Sequence, residues 1–360
     1  MADKRRYEIF VVGSGAIAGL AGAHLSHAGY DVTLTDNWVE HVEALRIKGL
    51  DTDGVRGVKH FEVRSCLTTD LGSPLDMLFL GVKSQHTLEA MDSVKHLLTP
   101  ETSIVSLQNG FNVETLQAYV DPSQIVGTVP NYGGALVNPG HIEFVHEGPL
   151  HIGEMSGEIT PRIRWLEEAF QNLTDTHVST NILGEIWGKQ CYFSQITLTA
   201  LVDEPVHRVL GDQRWRSLGI LLVGEALDVA DAAGISIPKS VSFEPAMYRP
   251  QTPEDTQRTH DYWEAYLDVL SRHQDRDEHN YAKIASGVWW DIVYRQRPSE
   301  TRKGLTGAVV DKAHQYGVLV PLNERLVEMI YQIERGERSL NWENLEELDA
   351  YRQELGLELP

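Results

Sequence analysis

The chain has 360 residues, enough for about two domains at roughly 150 residues each. Its 31 basic and 52 acidic residues leave a formal charge of −21 with no basic block, which excludes gripping a phosphate backbone as the main task. Hydrophobic residues at 42% and charged residues at 23% are ordinary globular usage and exclude wholesale disorder. The first half alternates strand and helix signals. Ile9–Val12 is a short apolar strand, Ala16–Ala28 an Ala/Leu/Gly-rich helix, Asp31–Thr35 a second strand and Val39–Ile47 a second helix. Met77–Leu80 and Ser103–Leu107 are two more strands with a helix between. Strands apolar throughout and separated by helices predict a parallel sheet covered on both faces. From Ile125 to Glu154 closely spaced Gly and Pro turns predict a meander at a sheet edge.

After Asn181 the strand signals fade. Ile182–Val202, Trp215–Ala233, Asp261–His273, Leu305–Tyr316 and Glu324–Arg335 read as helices, with Gly317 as a stop signal. The polar stretch Ser271–Asn280 reads as a solvated helix end or loop. The expected architecture is an N-terminal doubly wound α/β domain over 1–180 and an all-α domain over 181–360. Two cysteines, Cys66 and Cys191, make neither a disulfide framework nor a zinc cluster, so no metal site is expected. The start MADKRRYEIF lacks the apolar run of a signal peptide, and no stretch approaches a membrane span of roughly 20 residues. A cytoplasmic protein is expected.

The first strand runs into Gly13-Ser14-Gly15-Ala16-Ile17-Ala18, a G-x-G-x-x-A form of the dinucleotide fingerprint. Gly13 suits the tight turn, Gly15 lets backbone approach a pyrophosphate, and Ala18 lets the helix pack closely. Asp36, at the end of the second strand, lies where a ribose-binding carboxylate belongs; a helix cap is the alternative reading. In an open α/β sheet, ligands bind beyond the C-terminal strand ends. Lys83 and Asn109 sit at two such ends.

These pieces together resemble the ketopantoate reductase (2-dehydropantoate 2-reductase) family. The matching segments are VVGSGAIAG, VKSQHT, SLQNG, NPGHIEF, IWGKQC, RPSE and HQYGVLVPLN, spread from about residue 7 to 335. The resemblance implies a Rossmann domain, a helical domain, and hydride transfer from a nicotinamide to the ketone of a 2-oxo acid in the cleft between them. It implies Lys189 as the catalytic lysine and Glu300 as its acidic partner, although Glu300–Gly307 is one residue longer than the family pattern. Lys83 and Asn109 fall on cofactor-contacting positions, Asn109 also reaching substrate; Gly134 joins the cofactor set and Ser286 the substrate set. A small-molecule carbonyl substrate and a homodimer are expected.

A lysine beside a carboxylate suits this chemistry independently, because an ammonium both stabilises a forming alkoxide and supplies its proton. At helical spacing Lys189, Phe193, Thr197 and Ala200 share a stripe. Where family members place asparagines that bind substrate, this chain has Phe193 and Thr197, so a less polar substrate than ketopantoate is expected. In place of an arginine suited to a 2′-phosphate it has Thr35-Asp36-Asn37-Trp38, so NAD(P)H binding is expected with NADH favoured. Two other readings stay open: an authentic 2-dehydropantoate 2-reductase of pantothenate synthesis, and a non-catalytic dinucleotide sensor.

Overall fold

The computed structural model describes residues 6–240, 243–272 and 285–360. It divides into two compact units, Met1–Ile186 and Trp187–Pro360, the division falling inside one helix. The first unit carries strands β1 (Glu8–Val12), β2 (Asp31–Asp36), β3 (Leu50–Gly54), β4 (Lys59–Phe61), β5 (Arg64–Leu67), β6 (Met77–Leu80), β7 (Ser103–Ser106), β8 (Ile125–Pro130), β9 (Gly133–Asn138), β10 (His141–His146), β11 (Leu150–Glu154) and β12 (Thr176–Val178). Its helices are α1 (Ala16–His27), α2 (Val39–Lys48), α3 (Thr87–Val94), α4 (Asn112–Leu116) and α5 (Pro161–Phe170); α6 (Ile182–Leu198) follows.

The main sheet has the order β12-β11-β8-β7-β6-β1-β2-β5. Its central strands are parallel, and β11 runs antiparallel to its neighbour β8. This is the doubly wound sheet that the apolar strands predict. The segment 125–154 is not a simple edge meander, however. β8 and β11 join the main sheet, whereas β9 and β10 leave it to form a second sheet of order β4-β3-β10-β9. β3, β4 and β5 carry too few apolar residues to signal strands; their register comes from pairing with β10 and β2.

Helix α1 lies between the two sheets. A Cβ built at its Gly22 would strike Leu34 of the main sheet at 2.3 Å, and one at Gly19 would strike Ile142 of the second at 2.8 Å. That explains why α1 (AIAGLAGAHLSH) is apolar all round and rich in small residues: a helix buried on two faces shows no amphipathic stripe. Ile9, Val11, Leu20, Leu34, Phe79, Ile142 and Phe144 belong to one buried cluster.

The second unit contains no strand among its described residues. Helices span 206–211, 213–232, 253–272, 306–316, 321–334 and 342–354. Leu198, Leu218, Leu222, Leu326, Ile330 and Leu345 form its core. Asp212 caps the helix 213–232 by accepting from the Arg214 N–H at 2.8 Å. Gly317 ends the helix 306–316 at φ +69°. The helix expected from Asp261 begins earlier, at Pro253, and most of Ser271–Asn280 lies outside the described residues. Among the described residues no helix is long and apolar enough to cross a membrane.

Candidate active site

The glycine loop follows β1 and opens α1. Gly13 has φ +83°, and a Cβ there would stand 2.7 Å from the backbone N of Val82. Its N–H and that of Ser14 both donate to the Thr35 carbonyl, at 3.0 and 3.1 Å, which fastens the loop to β2. Gly15 is the N-cap of α1, and a Cβ there would meet no described atom within 4 Å. The protein itself therefore leaves room above Gly15. The hydroxyl of the preceding residue, Ser14, is buried without a hydrogen-bond partner among the described residues. A cradle at a helix N-terminus with an unsatisfied hydroxyl fits the pyrophosphate of a dinucleotide. Ala16 and Ile17 begin the helix. Ala18 packs where the β6 strand end turns: a Cβ at Gly81 would come 2.1 Å from the Ala18 Cβ. Gly134 of β9 faces the same helix start, where an added Cβ would stand 3.3 Å from that of Ala16.

Asp36 ends β2. One of its carboxylate oxygens accepts from the Trp38 N–H at 3.0 Å. It thus forms the local turn ahead of α2.

Lys83 and Asn109 occupy the turns after β6 and β7. A polar network that residue patterns do not signal joins the two turns. The Ser84 hydroxyl donates to the Asn109 carbonyl at 2.6 Å, and the Asn112 amide donates to both of those groups. Thr87 donates to the Asn112 side-chain oxygen at 2.9 Å, and the Gln108 amide donates to Thr87 at 2.8 Å and to the Val82 carbonyl at 2.9 Å. These side chains hold Lys83 and Asn109 on adjacent strand ends. His86 closes the short turn before α3 and is exposed.

In the second unit, Lys189 lies on α6. Its ammonium sits 5.6 Å from the centre of the Phe193 ring one turn on, within cation–π range. Burial pushes the Lys189 pKa down to about 8, and the Glu300 carboxylate opposes that shift. Lys189 and Glu300 thus lie within electrostatic reach of each other despite the extra residue after Glu300. Glu300 is buried at 4% exposure. Its neighbour Ser299 is anchored through its N–H and hydroxyl to Glu334, at 2.7 and 2.6 Å. The Ser299–Glu334 contact spans 35 residues, so the sequence pattern does not reveal it.

Two expected substrate contacts make bonds within the protein. Thr197 is fully buried, and its hydroxyl accepts from Thr306 at 2.7 Å, so it joins α6 to the helix 306–316. Ser286 caps a short helical turn, its oxygen accepting from the Trp289 N–H at 3.1 Å. Ala200 lies past the end of α6, in a 3₁₀ turn. Of the stripe read from spacing, Lys189 and Phe193 stay together as a partly buried pair.

Residues 9–157 match the family described as Ketopantoate reductase PanE/ApbA, and residues 181–334 match its C-terminal counterpart. A 2-dehydropantoate 2-reductase of Pyrococcus abyssi is 31% identical over 232 residues, covering 63% of this chain and 75% of the relative. An uncharacterized oxidoreductase of Bacillus subtilis is 29% identical over 251 residues, covering 68% and 81%. Among solved structures, a D-mandelate dehydrogenase with NADH and anilino(oxo)acetate superposes with a TM-score of 0.74 at 19% identity, covering 91% of this chain and 99% of that one.

Proposed function

This chain belongs to the ketopantoate reductase family, an NAD(P)-dependent oxidoreductase acting on a carbonyl group of a keto acid, and from that premise we propose that it reduces a 2-oxo acid less polar than ketopantoate, with Lys189 as proton donor and NADH as the preferred cofactor. The observation that carries this reading is the Lys189 ammonium, poised near neutrality beside Glu300 and against an aromatic ring.

A reduced nicotinamide bound at the glycine loop supplies the hydride. The chain's own residues do the rest. As the carbonyl carbon is reduced, negative charge grows on its oxygen. Lys189 stabilises that charge and then donates a proton, becoming a neutral amine that solvent reprotonates. With a pKa of about 8, most of the lysine is charged at neutral pH, yet the proton is easily given up. Glu300 keeps the ammonium charged against its burial. Ser299 and Glu334 hold Glu300 in place.

Phe193 supports the substrate reading. An aromatic ring beside the donor offers area for an apolar group and no hydrogen bond for the ketopantoate hydroxyl. A buried unpaired hydroxyl costs about 1–3 kcal/mol, or ~10- to 100-fold in specificity. Thr197 is fully buried, with its hydroxyl accepting from Thr306. The fold is compatible with such a substrate, since the D-mandelate dehydrogenase of the same architecture is paired with an aryl-bearing oxo acid, anilino(oxo)acetate. For the cofactor, a carboxylate at Asp36 accepts from a ribose 2′-hydroxyl and repels a 2′-phosphate.

The test is kcat/KM for ketopantoate and for an aryl 2-oxo acid, in the wild type and in Phe193→Asn. The aryl substrate should win by roughly tenfold or more in the wild type, and the substitution should narrow the gap. Wild-type turnover of ketopantoate at ~10⁴ M⁻¹s⁻¹ or above would restore the pantothenate reading.

A further inference from the structure

His41, on the first turn of α2, is fully buried, and its two ring nitrogens are both spoken for. Nδ1 lies 3.0 Å from the backbone N of Gly140, in the turn between β9 and β10. Nε2 lies 3.0 Å from the carbonyl oxygen of Ser14, in the glycine loop. A backbone N–H can only donate and a carbonyl can only accept. Nδ1 is therefore the bare acceptor and Nε2 carries the proton. The ring is neutral in this single tautomer. It also stacks on Trp38, with centroids 5.8 Å apart and planes at 20°. The Trp38 N–H in turn donates to Asp36.

We infer that His41 is a positioning residue for the dinucleotide: one neutral imidazole ties the pyrophosphate loop, the ribose carboxylate turn and the second sheet into one frame. The peptide plane explains how. The Ser14 carbonyl and the Gly15 N–H belong to one trans peptide and point in opposite directions. Pinning the carbonyl onto His41 aims the Gly15 N–H the other way, into the cradle above the start of α1. The second sheet, which sequence periodicity does not reveal, thereby acquires a role: its Gly140 turn holds the ring that holds the loop. This inference rests on the glycine loop binding a dinucleotide.

The frame depends on the neutral ring. Protonation would place a second N–H at Nδ1 against the Gly140 N–H. Burial holds the His41 pKa below the usual histidine value, against the Ser14 carbonyl and the Asp36 carboxylate, which both favour the charged form. On the neighbouring turn His141 is paired with Asp53 at 3.2 Å. Cofactor affinity should accordingly hold through the ordinary histidine range near about 6.5 and weaken only at lower pH, as the His41 ring is protonated.

The experiment is titration of the full-length protein with NADH, from pH 7.5 down in steps to the acid limit at which the proteins stay folded, for the wild type, His41→Ala and His41→Gln, with thermal midpoints and steady-state kinetics alongside. Glutamine offers an acceptor and a donor side by side, as the imidazole does, but does not titrate. His41→Ala should raise the NADH Kd roughly tenfold, with a larger change in KM for NADH than in kcat. His41→Gln should recover most of the affinity and lose the pH dependence that the wild type shows. Should His41→Ala not fold, the wild-type and His41→Gln pH profiles still decide the matter. Unchanged affinity in His41→Ala, or equal pH dependence in wild type and His41→Gln, would overturn the positioning role. A wild type that binds neither NADH nor NADPH at pH 7.5 would instead overturn the dinucleotide reading beneath it.

Discussion

Lys189 shows how far a residue can be read before its surroundings are known. Its type and its place on an apolar helix suggest a proton donor, and a family resemblance names Glu300 as its partner. What the sequence could not supply is the balance of forces on it. Burial lowers its pKa, Glu300 raises it, and the result is about 8. The direction of the pH dependence follows. Reduction needs the ammonium, so kcat for reduction should be level at neutral pH and fall as pH rises through about 8. Oxidation of the hydroxy acid needs the free amine and should rise over the same interval. Rate profiles in both directions check this, and parallel profiles would contradict it. Thr197 marks a limit of such reading. Helical spacing can place a residue on a stripe, but it cannot say that a threonine hydroxyl is already bonded to a partner 109 residues away.

At the scale of elements, the central parallel strands β1, β2, β6 and β7 were legible because each is a short run rich in apolar residues bounded by turn signals. The second sheet was not. β3 (LDTDG) gains its order from the long-range pairing with β10, and β4 (KHF) from pairing with β3. The start of α1 offers a sharp comparison of two glycines. Gly13→Ala would force a Cβ into the Val82 backbone at a positive φ, so it should destabilise the fold and abolish cofactor binding. Gly15→Ala meets no described atom and has φ −67°, so the thermal midpoint should hardly move while NADH binding weakens at least tenfold. Thermal melts with and without NADH separate the two cases. If Gly15→Ala binds NADH as the wild type does, the space above Gly15 is not where the pyrophosphate sits.

The same helix carries an acid-sensitive group. Burial lowers the His24 pKa from 6.5 to about 4, although Nδ1 stays bonded to the Leu20 carbonyl at 2.9 Å. Because the folded value is depressed, the unfolded chain takes up this proton first as pH drops. The contribution of neutral His24 to stability is complete above 6.5 and is lost as pH falls towards 4, a loss of roughly 3 kcal/mol. His24→Phe should flatten that part of the stability–pH curve, measured by denaturant unfolding between pH 7 and 4. An unchanged slope would mean that other groups govern it.

For the whole molecule, the change of texture near residue 180 separates an α/β half from a helical half because parallel strands and amphipathic helices have different apolar periods. Each half contributes chemistry of its own. The first holds a glycine loop fastened to Thr35 and His41, and the second holds a lysine whose pKa Glu300 raises against burial, beside the Phe193 ring. The most direct measurement of a lysine-assisted reduction is oxidation of NADH by the full-length protein with a series of 2-oxo acids, compared between wild type and Lys189→Met at neutral pH. The wild type should turn over, best on an apolar or aryl 2-oxo acid, and Lys189→Met should lose ~10²–10⁴ in kcat while NADH still binds. Turnover by Lys189→Met at the wild-type rate, or binding of NADH by the wild type with no 2-oxo acid reduced, would contradict it.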